Sequence, residues 1–196
     1  MKKIEMIWRE LLFQAIEKKN RQFTQKELAQ QLGFSTSTIF QALKTPRSMG
    51  AVRVTGRFFI VEDPEKLLYD WGSVRNLQKD IIFKGRVNLP VLGIEGRMPG
   101  NIIFGGYSAA RHILSVAPAD YDTVYIYAKE IGQMQERFKF EKGRANVVVL
   151  KQDPLLTQYG SITTLSQTFV DLWNLSDWQA KEFVRALKEK IDEFLS

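Results

Sequence analysis

Between Thr24 and Val61 helix starts, helix stops and turn residues follow one another so closely that only two short helices and a hairpin fit. Thr24-Gln25-Lys26-Glu27 has the spacing of a capping box, in which a hydroxyl accepts from the third following amide while the glutamate reaches back. Leu28, Ala29 and Leu32 give the first helix an apolar stripe, Gly33 supplies the positive-φ stop, and Phe34 is expected to plug into the core. Ser35 caps a second helix from Thr36 to about Leu43. Its periodicity puts Ile39, Ala42 and Leu43 on one side and Thr36, Ser37, Phe40, Gln41 and Lys44 on the other. Two short helices about a glycine turn, the second polar and uncharged at its start, predict a helix-turn-helix. After Pro46 and Gly50 come Ala51 to Thr55, the pair Gly56-Arg57, and Phe58 to Val61, a hairpin where a winged helix carries its wing.

Charge points the same way. No acidic residue lies between Glu27 and Glu62, whereas Lys44, Arg47, Arg53 and Arg57 all fall inside that span. A surface without carboxylates suits a phosphate backbone, since each retained negative charge would oppose counterion release. Ser35, Thr36, Ser37, Thr38, Phe40 and Gln41 are the candidates for the DNA-facing helix, with Lys44, Arg47, Arg53 and Arg57 for the backbone or minor groove. For Phe40 two roles stand side by side, contact with a thymine methyl and packing beneath the wing.

The net charge of the 196 residues is +6, with 12 basic against 8 acidic residues up to Asp70 and 16 against 14 after it. Most of the excess therefore belongs to the smaller segment. With no cysteine there is no disulfide framework, thiolate metal site or thiol nucleophile, and a reducing cytoplasm is the expected home. No apolar run approaches the roughly 20 residues of a membrane helix, and the start Met1-Lys2-Lys3-Ile4-Glu5 lacks the apolar core of a signal peptide.

In chain order, Ile4, Ile7, Trp8, Leu11, Leu12, Ala15 and Ile16 predict a helix from about Lys3 to Lys19 that backs the helix-turn-helix. Asp63-Pro64 opens a helix through Leu67, Leu68 and Trp71, read as a connector over 64–79 between a domain at 1–63 and another at 80–196. The second domain reads as strands at Ile81–Phe83, Ile102–Phe104, Val124–Tyr127 and Asn146–Leu150. Helices fall at Leu89–Met98, Gly105–Leu114, Ile131–Phe138, Ser166–Leu175 and Asp177–Leu195. The fold class expected is α+β: an N-terminal winged helix-turn-helix, then an α/β domain with a mixed sheet and a helical tail. That tail is expected to expose Gln167, Lys181, Arg185, Lys188 and Lys190 beside an apolar face.

Motifs of catalysis are sparse. Gly105-Gly106-x-Ser108 matches no phosphate-binding fingerprint and reads first as a tight strand-to-helix turn. Asp120, Asp122 and Glu130 flank a strand in a manner that hints at a metal-dependent nuclease, but their spacing is unspecific, and His112 is the only histidine. The expectation is a protein that is not an enzyme, with no metal and no cofactor.

The run Gly105-Gly106-Tyr107-Ser108-Ala109-Ala110, then Tyr121-x-x-Val124-Tyr125-Ile126, then Leu165-Ser166-Gln167-Thr168-Phe169-Val170-Asp171-Leu172 ahead of a final helix, resembles the AbiEi-type antitoxins. The resemblance spans most of the chain. It implies an N-terminal winged helix that represses its own operon and a C-terminal domain that counteracts a nucleotidyltransferase-type toxin in a type IV toxin-antitoxin system. Arg111 and the lack of a His-Gly pair after His112 depart from that pattern. The partners expected are double-stranded operator DNA, bound as monomer or homodimer, and functionally the toxin, with no membrane. Two other readings stand: a winged-helix regulator whose second domain senses a small ligand, and a nucleic-acid-processing enzyme built on 80–196.

Overall fold

Pro46 should stop a helix, because it has no N–H to offer the carbonyl four residues back. In the computed structural model, which describes residues 1–196, the helix holding it nevertheless runs over Thr36–Ser48 (α3) rather than ending near Leu43. The carbonyl that Pro46 leaves without its helical donor is that of Ala42, and the indole Nε1–H of Trp8 donates to it at 2.8 Å. A distant side chain thus supplies the missing bond, and α3 continues.

The chain divides into two compact units, Met1–Arg75 with Ile191–Ser196, and Asn76–Lys190. Trp8 lies on the first helix of the first unit, α1 (Lys3–Leu12), which gives way to a π-helical turn at Phe13–Glu17 that keeps Ala15 and Ile16 buried. The single regular helix expected to Lys19 is therefore cut short. There follow β1 (Gln22–Phe23), α2 (Gln25–Leu32), α3, β2 (Val52–Val54), β3 (Phe59–Val61) and α4 (Pro64–Val74). The three strands form one antiparallel sheet in the order β1-β3-β2.

Helix α4 starts as its sequence dictates, with the Lys66 amide donating to Asp63 Oδ1 at 2.9 Å and Pro64 in the first turn. It packs within the first unit instead of standing between units, because Leu67, Leu68 and Trp71 are wholly buried there. Trp71 Nε1 donates to Glu5 Oε2 at 3.2 Å, and Arg75 pairs with the same oxygen at 3.4 Å. Glu5, Arg9 and Glu10 are buried along with the apolar stripe of α1, and Glu10 accepts from Gln14 and Gln31 at 2.9 and 2.8 Å. Buried carboxylates need such donors, because an unpaired charge away from water is costly.

The second unit holds a five-stranded mixed sheet in the order β5-β6-β8-β4-β7. Its strands are β4 (Ile81–Val87), β5 (Ile103–Gly105), β6 (Val124–Ala128), β7 (Phe140–Glu141) and β8 (Val147–Lys151); β6 and β8 run parallel and all other pairs antiparallel. Helices α5 (Val91–Glu95), α6 (Gly106–Leu114), α7 (Gly132–Arg137), α8 (Leu165–Trp173) and α9 (Trp178–Leu195) complete it, with the last residues of α9 belonging to the first unit. Nine α-helices and two sheets make the chain α+β.

Strands β6 and β8 are buried on both faces. Val124, Ile126, Ala128, Val147 and Val149 face one core with Ile94, Met98, Met134 and Phe138. On the other face Tyr127 donates its hydroxyl to Asp171 of α8. Asn146 fixes the edge of β4: its side chain accepts from the Val87 amide at 2.8 Å and donates to the Val87 carbonyl at 2.9 Å. The tail differs from expectation, since Gln167 is fully buried, while Lys181 and Arg185 are exposed and Arg185 is bonded to Glu182. Gln167 turns inward because the whole of α8 up to Leu172 is buried, leaving no solvent face for it. No helix is long and apolar enough to cross a membrane.

Candidate nucleic-acid interface

Local chemistry sets the two helices. Thr24 caps α2, accepting from the Glu27 amide at 3.1 Å, and its hydroxyl donates to the Glu27 carboxylate at 2.8 Å. Gly33 then takes φ +67°, and the Phe34 amide closes back on the Ala29 carbonyl at 2.9 Å, a Schellman-type end. Phe34 is half-buried, not a core plug, and the Lys3 ammonium stands 5.7 Å from its ring centre. Its place directly after the αL residue keeps it at the edge of the helix pair.

Ser35 caps α3 by accepting from the Thr38 amide at 3.2 Å, and its hydroxyl lies 2.8 Å from that of Ser37 and 2.9 Å from that of Thr38. Ile39, Ala42, Leu43 and Pro46 are buried, which leaves Thr36, Ser37, Phe40, Gln41, Lys44 and Arg47 exposed along one stripe. The helix therefore meets solvent with amide and hydroxyl groups first and cations after them. Thr38 is half-buried and joins Ser35 in holding the cap. Phe40 is 41% exposed and carries the Lys44 ammonium 5.6 Å from its ring centre, so it stands on the open face of α3.

The hairpin pairs Val52 with Val61, Arg53 with Ile60 and Val54 with Phe59. Thr55 closes it: its amide donates to the Phe58 carbonyl at 2.8 Å and its hydroxyl donates to the same oxygen at 2.7 Å. Gly56-Arg57 is thereby left as a two-residue tip, with Arg57 exposed. Between this tip and the first turn of α2 runs a cleft of about 240 Å³ lined by Thr24, Gln25, Lys26 and Val54 to Phe59. Lys26 adds a cation that the motif-based reading passed over. Its position in the first turn beside the hairpin was the available signal.

Arg53 behaves differently from the other cations. Its Nε donates to Glu62 Oε1 at 2.5 Å, across the diagonal of the β2/β3 pair. The first carboxylate beyond the acid-free span thus folds back onto it. Arg47 and Arg57 make no ion pair, and Lys44 lies over an aromatic ring. Eight of the ten candidates, Ser35, Thr36, Ser37, Thr38, Phe40, Gln41, Lys44 and Arg47, sit on α3 or its cap, while Arg53 and Arg57 are on the hairpin.

The glycine pair, the flanking carboxylates and the lone histidine all lie in the second unit. A Cβ on Gly105 would meet the Tyr127 ring at 2.9 Å, and one on Gly106, at φ +51°, would meet Tyr125 at 3.1 Å. Both glycines thus pack closely against tyrosines of β6. Asp122 and Glu130 lie beyond opposite ends of β6, whose five residues alone put about 13 Å of extended strand between them. Asp122 faces Arg144 at 3.9 Å instead. His112 is on the exposed side of α6, 6.1 Å from the Phe104 ring centre. No family model, curated protein or solved structure matches this chain.

Proposed function

We propose that the chain is a DNA-binding transcriptional regulator whose first unit is a winged helix-turn-helix, and that it serves as the antitoxin of a type IV toxin-antitoxin system. The observation that carries the DNA-binding reading is the exposed stripe of α3. It offers Thr36, Ser37 and Gln41 ahead of Lys44 and Arg47, on a helix held from behind by Ile39, Ala42, Leu43 and Pro46. A helix of this kind enters a major groove, where Gln41 can make two hydrogen bonds to one base edge. Arg57 at the hairpin tip and Lys26 beside it then meet the backbone. Arg53, already paired with Glu62, contributes less to that contact. The antitoxin part rests on the resemblance of residues 105–172 and on the operon repression that such a family combines with toxin neutralisation. A cleft in the second unit favours the ligand-sensing reading of that unit.

The test is a titration of full-length protein with the DNA upstream of its own gene and with shuffled DNA. Gln41→Ala is expected to lower discrimination between the two by about 1–3 kcal/mol. In the same assay Arg57→Ala weakens both complexes and reduces the salt slope by about one ion. Equal loss on both DNAs for Gln41→Ala removes its base-reading role.

A further inference from the structure

Phe40 is the one large apolar side chain that α3 turns to solvent, 41% exposed among Thr36, Ser37, Gln41 and Lys44. Packing beneath the hairpin does not account for it, because that place is filled by other rings. Phe59 of β3 is 1% exposed and stacks on Phe23 of β1, with 5.5 Å between ring centres. The neighbour of the Phe40 ring is instead the Lys44 ammonium, one helical turn on, at 5.6 Å.

A ring on a face otherwise made of hydroxyls, an amide and cations has its own partner chemistry. A phenyl group has no donor for a phosphate oxygen and no acceptor for a base N–H. Among the four bases only thymine presents an apolar group in the major groove, its 5-methyl, and phenylalanine is one of the side chains that meets it. Gln41, the next residue, carries the amide suited to adenine. Consecutive Cα atoms stand about 3.8 Å apart and successive bases of one strand about 3.4 Å, so residues 40 and 41 reach neighbouring base pairs.

We propose that Phe40 is a specificity-determining residue that reads the 5-methyl group of a thymine, one base step from the base read by Gln41. The inference rests on the DNA-binding reading above and assigns a base preference within it. Lys44, one turn past the ring, supplies charge to the backbone beside that step. Uracil keeps the hydrogen-bonding edge of thymine and lacks only the methyl, so the contact can be removed from the DNA side without touching the protein.

The experiment uses the site that the full chain protects from nuclease upstream of its own gene. That site is made as a set of duplexes in which each thymine in turn is replaced by deoxyuridine, and each is titrated with the protein. One position per bound α3 is expected to weaken binding about fourfold, the size of one buried methyl. Phe40→Ala should bind the thymine duplex at least fourfold more weakly and make no distinction between thymine and uracil at that position. Lys44→Ala should weaken every duplex and keep the uracil penalty, which separates loss of the ring from loss of the charge. A uracil penalty that survives in Phe40→Ala, or an unmodified protein that responds to none of the replacements, overturns the proposal and leaves DNA binding in place. Absence of any protected site overturns the DNA-binding reading itself, and this inference with it.

Discussion

Trp8 carries α3 past its proline, and that dependence can be measured as a coupling. In Trp8→Phe the Ala42 carbonyl, on a residue 1% exposed, loses its only side-chain donor, and Pro46 has no N–H to replace it. A buried acceptor left bare costs about 1–3 kcal/mol, and the smaller ring adds a packing loss on the order of 1 kcal/mol. In a Pro46→Ala background the backbone amide gained at that position can close the ordinary helical bond to Ala42. The carbonyl penalty then disappears and only the packing loss remains. Trp8→Phe is therefore expected to be milder once the proline is gone, with a coupling of about 1–3 kcal/mol between the two sites. Native-state hydrogen exchange at the amides of Ile39 to Leu43 reads the first unit directly, and denaturant unfolding followed by circular dichroism checks the four proteins of the cycle. A coupling within about 0.5 kcal/mol of zero refutes the account of how α3 passes Pro46.

Two further outcomes follow from the second unit. Asn146→Ala strips both the amide and the carbonyl of buried Val87 of their partners, at 2.8 and 2.9 Å, and should destabilise by about 2–5 kcal/mol; a loss under about 1 kcal/mol means that water takes over both bonds. Burial pushes Tyr125 up to about 12, burial and the Glu95 carboxylate hold Tyr121 there too, and Tyr107 lies higher still, through burial and Asp177. The unfolded chain releases these protons near pH 10 while the folded one keeps them, so the stability they give is complete below about pH 10 and fades as pH climbs through about 12. Stability measured at pH 9 and pH 11 should fall, and a phenolate absorbance step of all six tyrosines near pH 10 with the fold intact would contradict it.

Sequence made the short-range structure legible. Thr24, Gly33, Ser35 and Asp63 act on neighbours within a few residues, and each starts or stops its helix where the motif says. What stayed hidden depends on partners far along the chain. The end of α3 hangs on Trp8, the inward turn of Glu5 on Trp71 and Arg75, and β1 and β7 are two-residue strands defined only by pairing with β3 and β4. The candidate interface was half legible for the same reason. Helical periodicity separates Thr36, Phe40, Gln41 and Lys44 from the buried Ile39 and Leu43. Nothing local says that Arg53 will be neutralised by Glu62, nine positions on, until the hairpin register brings them together. Gln152 follows an apolar strand, and only the meeting of the turn before β5, the end of β6 and α7 around it turns it into a cavity wall.

The two glycines ahead of α6 tie this turn to the history of the chain. Gly105 and Gly106 lie against Tyr127 and Tyr125, so a side chain at 105 must shift the Tyr127 ring, while one at 106 meets both a positive φ and a tight contact with Tyr125. Drift at these sites is therefore not independent: alanine at 105 would push on the ring of residue 127, whose hydroxyl bonds Asp171 on α8. A substitution in the turn is thus felt on β6 and, through Tyr127, on α8, so that changes at positions 105, 127 and 171 are expected to travel together.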